Sequence, residues 1–357
     1  MRDVYVIGVA QAPVNRDMST RGRYMAAEVV RQALADSGVE QDRVDALYVG
    51  NMTSGLLAGQ QQLGGLVADY AGLRGIDAVT IEAACASGAA AARMGFMTIA
   101  GGMNDVVVVC GLERMTHVDR DTVTRALATA ADWELEGALG ESFMSLNAQL
   151  MRRYMDRYDV GAADFAPFSI NAHRNALTNP NALFHKPVDV EGYLASRIVI
   201  DPIRVFDASP VCNGAAAFVL ASGEAVSSIA PNSPRVRIAG SAAATAPLAL
   251  QRRADMLQLE AVTISTRKTL EQAGARHEDV SLFELHDAFT IMAVLSLESA
   301  GFAAPGTGTR LGTEGRIGLD GDLPLTTMGG LKARGHPVGA TGVYQFVEAY
   351  LQLIGAA

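Results

Sequence analysis

The hydrophobic and polar positions in the first third of the chain alternate between two patterns. Short β-branched runs predict four strands, over residues 4–9, 44–49, 78–82 and 105–111. Amphipathic or small-residue stretches predict the helices between them, over about 22–37, 59–71 and 88–100. The run VVVVC at 106–110 lacks polar alternation, as is typical of a strand buried on both faces. Alternating strands and helices predict a layered α/β fold with a largely parallel sheet.

The second half of the chain repeats this plan. The run VRIAG at 236–240 matches VYVIG at 4–8, and VSLF at 280–283 matches VDAL at 44–47. A helix after GHP at 335–337 then corresponds to the helix after CAS at 85–87, which aligns His336 with Cys85. We interpret the chain as an internal duplication. The second copy stops just after the His336 helix, so we expect a further strand, and the native C-terminus, beyond Ala357.

A segment of different composition separates the two copies. Residues 116–199 are richer in charge, methionine and aromatic side chains, and they predict an inserted, mostly helical lid. Residues 200–222 return to the first layer with a buried strand at 215–220. The predicted division is therefore a first half of residues 1–115 and 200–233, a lid of residues 116–199 and a second half of residues 234–357.

Composition excludes several classes of protein. With 49% hydrophobic and 19% charged residues, the chain is not mainly disordered, and a net charge of −9 argues against a nucleic-acid partner. Three widely spaced cysteines without a CxxC pair indicate a reducing compartment rather than a disulfide scaffold or structural zinc site. We find no signal-peptide pattern and no apolar stretch of membrane-spanning length, so we expect a cytoplasmic protein.

Cys85 is the first candidate for chemistry. It lies in EAACASGA, residues 82–89, between a predicted strand and a small-residue helix. A thiol at a helix N-terminus lies at the positive end of the helix dipole, which favours the thiolate. A buried structural thiol is the alternative that the sequence leaves open.

Two histidines complete the candidate site. His336 lies between Gly335 and Pro337 at the start of a predicted helix, and it is a base that could take the Cys85 proton. His286 follows a predicted strand, where active sites of α/β proteins form, and it could donate to a substrate oxygen. We expect Asp287 to cap the next helix, over 290–299. Zinc takes three or four protein ligands, and only Cys85 could join His286 and His336 at useful spacing, so we expect no metal. No dinucleotide or nucleoside-phosphate glycine motif is present, so we expect no cofactor.

Four motifs in this order resemble those of the thiolase family. They are EAACASG at 82–88, GLERM at 111–115, DASPVCNGAAA at 207–217 and GGLKARGHPVGATG at 329–342. HDAF at 286–289, where most members have NEAF, is similar to the sterol-carrier-protein-type and archaeal-type branch. The resemblance implies a five-layered α-β-α-β-α fold built from two duplicated halves with an inserted lid.

The resemblance also implies the chemistry. Cys85 would accept the acyl group, His336 would activate it, and His286 and His336 would form an oxyanion hole. Ala288 and Phe289 would line the acyl pocket, Gly339 would contact the substrate, and Met144 of the lid would cover the pantetheine arm. The substrates would be acyl-CoA and acetyl-CoA, with the CoA thioester as substrate rather than cofactor. The family suggests a homodimer or homotetramer, with a possible partner subunit of acyl-CoA-binding type.

The second acid/base of the family is not visible in this sequence. The C-terminal Cys-x-Gly motif is absent, and Ala288 stands where sterol-carrier-type members have a cysteine. Cys110 and Cys212 are poor substitutes because they lie in strand or structural motifs. Two alternatives to a thiolase therefore stay open at this point: a ketosynthase-like condensing enzyme and a non-catalytic acyl-CoA-binding scaffold.

Overall fold

A computed structural model describes residues 1–17, 19–231 and 233–357. The strands are β1 (Val4–Gln11), β2 (Ala46–Gly50), β3 (Asp77–Ile81), β4 (Val106–Arg114), β5 (Ile198–Ile200), β6 (Ile203–Arg204), β7 (Asn213–Ser222) and β8 (Val236–Arg237). The helices are α1 (Gly22–Ser37), α2 (Ser54–Leu57), α3 (Leu63–Ala71), α4 (Ser87–Ala100), α5 (Arg120–Ala128), α6 (Phe143–Tyr158), α7 (Ala162–Asn175), α8 (Val190–Ala195), α9 (Gly223–Ile229), α10 (Glu260–Ala273), α11 (Thr290–Ser299), α12 (Gly308–Thr313) and α13 (Thr341–Ile354).

The chain forms two compact units. Unit 1 comprises Met1–Arg120, Val211–Ala239 and His336–Ala357, and unit 2 comprises Asp121–Pro210 and Gly240–Gly335. These units group the chain differently from the division into two halves and a lid, because helix α13 packs in unit 1 and residues 200–210 belong to unit 2. That division concerns duplicated segments rather than contacts, and it stays a prediction.

Unit 1 is built on a six-stranded sheet in the order β3-β2-β4-β7-β1-β8. Strand β2 is parallel to β3 and β4, whereas β7 is antiparallel to both β4 and β1, and β8 is antiparallel to β1. The prediction of a largely parallel sheet is therefore wrong. The reason is non-local: β7, which comes a hundred residues after β4, inserts between β4 and β1 and runs against both.

The central strands of this sheet are buried on both faces, as the VVVVC run predicted. On one face, Val106, Val108 and Cys110 join the hydrophobic core that contains helices α1 and α3. On the other face, Val107 and Val109 lie close to Gly95 of α4, and Phe218 of β7 stacks on Phe346 of α13. Successive side chains of a strand point to opposite faces, so unit 1 is a three-layer α-β-α sandwich.

Most predicted elements of the first half are confirmed. Helix α1 has the predicted bounds of 22–37 and ends at Gly38, which adopts the left-handed conformation (φ 70°) common after helices. Strands β1 to β4 and β7 lie within a few residues of their predicted positions. Helix α3 starts later than expected, at Leu63, because the short helix α2 and a turn precede it.

Unit 2 is mainly helical and has its own core. The predicted lid contains α5, α6, α7 and α8, which confirms its helical character, and α11 has the predicted bounds of 290–299. Its core includes Tyr154, Phe165, Ile291, Leu295 and Leu297. In the described part of the chain, no strand forms at 280–283: Phe283 makes a single bridge to Leu325. Of the expected second sheet, strand β8 pairs instead with β1 in unit 1.

No helix within residues 1–17, 19–231 and 233–357 is both long enough and apolar enough to cross a membrane.

The contact between helix α3 and edge strand β3 gives a test of packing with its own control. A Cβ added at Gly64 would lie 2.5 Å from the Val79 carbonyl carbon and 2.6 Å from its nitrogen, whereas one at Gly65 would meet only the Gln62 side chain. We expect Gly64→Ala to destabilise the fold by about 1–3 kcal/mol through overpacking. Gly65→Ala, one residue on in the same helix, should be neutral or stabilising by up to about 1 kcal/mol. Urea unfolding measures both, and equal effects would contradict this packing.

Candidate active site

Cys85 lies on a tight turn between strand β3 and helix α4. The preceding residue, Ala84, has a positive φ of 50°, which is uncommon for a residue with a side chain. Ser87 holds the turn: its hydroxyl accepts from the Ala83 N–H (2.9 Å) and donates to the Ala84 carbonyl (2.6 Å). Cys85 is partly exposed, so the turn presents the thiol just before the first turn of α4.

His336 lies on a loop of the same unit, and a 3₁₀ turn over Val338–Ala340 separates it from helix α13. Its side chain is 5% exposed, and its Nδ1 atom lies 2.7 Å from Oγ1 of Thr341, the first residue of α13. A ring nitrogen of His336 lies within 4.8 Å of the Cys85 sulfur. The structure thus brings together the two residues that the internal duplication aligned.

Close packing of helices α4 and α13 holds these two residues near each other. A Cβ added at Gly342 would lie 2.5 Å from the Ala89 nitrogen, and one at Gly88 would lie 2.8 Å from the Gly339 carbonyl oxygen. Larger side chains at either glycine would push the helix that follows Cys85 away from the helix that follows His336. The small residues of both motifs therefore serve the approach of the two helices.

The electrostatic surroundings of Cys85 favour the neutral thiol. Burial of the sulfur, followed by the charge of Glu113, raises the pKa of Cys85 to about 12, and Glu82 adds to the same shift. The expectation that the helix dipole favours the thiolate is therefore wrong for the resting protein. Helix α4 begins two residues later, at Ser87, and burial, the largest cause of the shift, acts against the thiolate together with the two carboxylates. At neutral pH this thiol needs a base to become a nucleophile.

Glu113, at the end of strand β4, is a buried carboxyl group with an unusual number of donors. It accepts from the side chain of Asn51 (3.0 Å), from the backbone of Met52 (3.0 Å) and from both the backbone (3.2 Å) and the hydroxyl (2.5 Å) of Thr53. It also accepts from the Gly339 N–H, at 3.1 Å. Burial raises the pKa of Glu113, and the hydrogen bonds oppose that shift.

His286 belongs to unit 2 and precedes helix α11. Burial lowers its pKa, while the neighbouring Asp287 opposes the shift and Arg334 reinforces it. A neutral imidazole carries one N–H donor and one acceptor nitrogen, so His286 in this form can donate to an oxygen without bearing a charge.

Asp287 forms a buried ion pair with Lys332. The Lys332 Nζ atom lies 2.8 Å from Asp287 Oδ2, with both side chains almost fully buried, and the Leu331 N–H donates to Oδ1 at 2.7 Å. The expectation that Asp287 caps the following helix is wrong, because the residue at the N-cap of α11 is Phe289. The ion pair instead ties the HDAF segment to the segment before His336.

The four predicted substrate-binding residues lie in both units. Ala288 is buried in unit 2 and its carbonyl accepts from the Ser209 N–H, while Phe289 and Met144 are partly buried against the core of that unit. Gly339 lies in unit 1, where a Cβ would come within 2.8 Å of Glu113 Oε2. Contact of these four residues with substrate stays a prediction.

The remaining histidines and cysteines have structural surroundings. His117, His173, His185 and His277 each have a ring nitrogen bonded to a backbone carbonyl, as expected for structural residues. Cys110 and Cys212 are fully buried. Cys110 lies in the core beneath α1, so neither its place nor its burial suits an acid/base that must meet substrate.

Sequence reasoning missed Glu113, Thr341 and Lys332. For Glu113 the sequence contained a signal, because a carboxylate near the end of an otherwise apolar strand needs hydrogen-bond donors when it is buried. Thr341 lies five residues after His336, but the sequence carries no sign of which ring nitrogen it reaches. Lys332 gave no signal, because a single lysine in a glycine-rich loop is normally exposed.

Comparison with known proteins agrees with the geometry. Residues 4–224 match the family model described as Thiolase, N-terminal domain, and residues 242–357 match Thiolase C-terminal domain-like. The chain belongs to the thiolase family. The family, the acyltransferase class and the thiolase fold expected from the motifs are thus confirmed.

Relatives of this thiolase include two archaeal proteins. The acetyl-CoA acetyltransferase of Methanothermobacter thermautotrophicus is 41% identical over 357 residues, covering 100% of this chain and 92% of the relative. The acetyl-CoA acetyltransferase of Methanocaldococcus jannaschii is 35% identical, covering 99% of this chain and 90% of the relative. Among solved structures, the Ltp2-ChsH2(DUF35) aldolase shares the fold, with a TM-score of 0.84 at 21% identity over 99% of this chain and 90% of that one.

The raised pKa of Cys85 has a consequence that alkylation can measure. Because the thiolate is the reactive form, the rate of Cys85 modification by iodoacetamide should rise about tenfold per pH unit from about pH 7 to 9. Peptide mass spectrometry reports the rate, and Cys85→Ser is the control, in which the buried Cys110 and Cys212 should take up little label. A rate that levels off below about pH 8 would contradict a protonated resting thiol.

Proposed function

We propose that this thiolase is an acyl-CoA:acetyl-CoA C-acyltransferase, which forms or thiolytically cleaves 3-ketoacyl-CoA through an acyl group on Cys85. The observation that carries the proposal is the Cys85 sulfur within 4.8 Å of a His336 ring nitrogen. The names of the two archaeal relatives support acetyl-CoA as a substrate. A thiol beside an imidazole is the arrangement that nucleophilic acyl transfer requires.

In the first step, His336 takes the proton of Cys85 as the sulfur attacks the thioester carbonyl. A new bond forms between the sulfur and the acyl carbon, the bond to the CoA sulfur breaks, and the proton on His336 passes to the departing CoA thiolate. The raised pKa of Cys85 makes this base necessary, since only about one thiol in 10⁵ would ionise by itself at pH 7. The same pKa makes the sulfur a strong nucleophile once deprotonated.

In the second step, acetyl-CoA loses an α-proton and the enolate carbon forms a bond to the acyl carbon. The bond between that carbon and the Cys85 sulfur breaks, and the α-proton ends on the released sulfur, which restores the thiol. We assign the stabilisation of the enolate oxygen to His286 and, when its Nε2 atom is protonated, to His336; a donor of this kind is worth roughly 3–4 kcal/mol. The lowered pKa of His286 is compatible with this part, because a neutral imidazole still carries one N–H donor. Ala288, Phe289, Gly339 and Met144 are the proposed contacts of the acyl and pantetheine groups.

Several further features belong to the same proposal. The reaction balances with CoA thioesters alone, so no cofactor or metal is invoked. Acyl-CoA substrates support a role in lipid metabolism, and three free cysteines are compatible with a reducing, cytoplasmic location. The group that removes the α-proton is not assigned, since Cys110 and Cys212 are fully buried.

Intact-mass spectrometry tests the first step. After incubation with acetyl-CoA, the wild type should gain the mass of one acetyl group, and Cys85→Ala should gain none. Cys212→Ala is the matched control and should acylate normally. His336→Asn should slow acylation by about 10²- to 10⁴-fold, because the base is lost. His286→Asn should acylate but condense slowly; wild-type protein that stays unacylated would contradict the proposed function.

We also propose that the chain forms a homodimer, or a homotetramer built from such dimers, through the edge of the unit 1 sheet. Strand β3 has β2 as its one sheet neighbour among the described residues, and Val79 at its centre is 42% exposed. Met94 and Met97 are exposed on α4, the helix that packs beside β3. An open edge with apolar flanks favours pairing, and a second copy can add its own β3 antiparallel about a two-fold axis.

Light scattering during size-exclusion chromatography tests this assembly. The wild type should have the mass of at least two chains, and Val79→Asp should shift it toward the monomer by placing two like charges at the two-fold axis. Met103→Asp is the control: Met103 is 80% exposed and lies after α4, so its variant should keep the wild-type mass. A monomeric wild type, or a dimeric Val79→Asp, would exclude this interface.

A partner subunit of acyl-CoA-binding type is a further part of the proposal. Its support is the structural relative reported above, whose name joins Ltp2 to ChsH2(DUF35).

A further inference from the structure

The imidazole of His336 has a defined neighbour on its Nδ1 side. Thr341 Oγ1 lies 2.7 Å from Nδ1, and both side chains are buried. The same hydroxyl lies 3.5 Å from the carbonyl oxygen of Pro337, four residues back along the chain. The hydroxyl therefore has two partners, a ring nitrogen and a backbone carbonyl.

The Thr341 hydroxyl has one hydrogen, which it can donate either to the Pro337 carbonyl or to Nδ1 of His336. A backbone carbonyl can only accept a hydrogen bond. When the Thr341 hydroxyl donates its hydrogen to the Pro337 carbonyl, the lone pairs of the hydroxyl oxygen can accept from an Nδ1–H group of His336. In that arrangement the proton of a neutral His336 is on Nδ1, and Nε2 carries the lone pair. If the hydroxyl instead donates to Nδ1, the proton moves to Nε2, which then cannot act as a base.

From this geometry we propose that Thr341 is a positioning residue: it accepts the Nδ1–H of His336 and so makes Nε2 the atom that takes the Cys85 proton. The inference rests on the proposed acyl transfer. Protonation of Nε2 leaves the Nδ1–H bond to Thr341 in place, so the hydroxyl need not turn during the reaction. Because a hydroxyl is uncharged, Thr341 selects the tautomer and the ring orientation without drawing the proton from His336.

The place of Thr341 in helix α13 supports this role. A threonine at a helix start usually caps the backbone of its own first turn. Here the N-cap is Ala340, and within the described residues no side chain makes a capping bond to this helix. The hydroxyl instead faces the imidazole. The next residue, Gly342, packs against the backbone of Ala89, so Thr341 is fixed relative to the helix that follows Cys85.

Kinetics of three variants give the first test. Thr341→Val keeps the shape but removes the hydroxyl, and it should lower kcat by about 10- to 100-fold with KM for acetyl-CoA changed by less than about twofold. Thr341→Ser keeps the hydroxyl and should recover most of the rate. Thr98→Val, which removes another buried hydroxyl bonded to a backbone carbonyl in unit 1, is the control and should keep the wild-type kcat. An unchanged kcat in Thr341→Val, or a change in KM alone, would overturn the proposal.

The tautomer itself gives the second test, in resting protein without substrate. Nitrogen-15 spectra of histidine-labelled protein, with His336→Asn to identify the signals, should show Nδ1 protonated and Nε2 unprotonated in the wild type and in Thr341→Ser. Protonation on Nε2 in the wild type would overturn the proposal even if Thr341→Val does not fold. A protein with the expected tautomer that takes up no acetyl group would contradict the acyl transfer and leave the tautomer assignment standing.

Discussion

The carboxyl group of Glu113 is the point at which three separate segments of unit 1 meet. It lies at the end of strand β4, and it accepts hydrogen bonds from the loop after β2 and from the loop after His336. Four of its partners are N–H groups, which can only donate, so the ionised carboxylate fits them best. Burying such a charge costs several kcal/mol when its partners are missing, and the hydrogen bonds offset that cost. The hydrogen bond from Gly339 to Glu113 fixes the position of Gly339, and so helps to fix the loop that carries His336.

Burial of the sulfur, and after it the charge of Glu113, favours the neutral thiol of Cys85. A carboxylate beside a thiol disfavours the thiolate, and burial acts in the same direction. The resting site is therefore neutral at sulfur, and the proton must leave when substrate is bound. A site of this kind differs from one that keeps a preformed thiolate, because the nucleophile is exposed to side reactions for less of the time. In the proposed reaction, the imidazole of His336 takes part in each turnover as a base rather than acting as a fixed counter-ion.

Local pattern predicted the local elements well. Helices α1 and α11 have the predicted bounds because apolar spacing and a following glycine or small residue are encoded within the helix itself. Strand pairing could not be predicted from local pattern, because the direction of β7 depends on strands a hundred or more residues away in the sequence. The run at 280–283 has the composition of a strand, but a strand requires neighbours, and in the described chain Phe283 finds a single bridge. For the site, the duplication led to Cys85 and His336, while Glu113 and Thr341 depend on contacts between segments that no local pattern shows.

The ion pair between Asp287 and Lys332 has a consequence for how this sequence can diverge. Either residue alone would be a charge without a counter-charge in a dry environment, so a single substitution passes through a poorly stable intermediate. An exchange of both residues for an apolar pair avoids that barrier. We therefore expect positions 287 and 332 to change together, although 45 residues separate them.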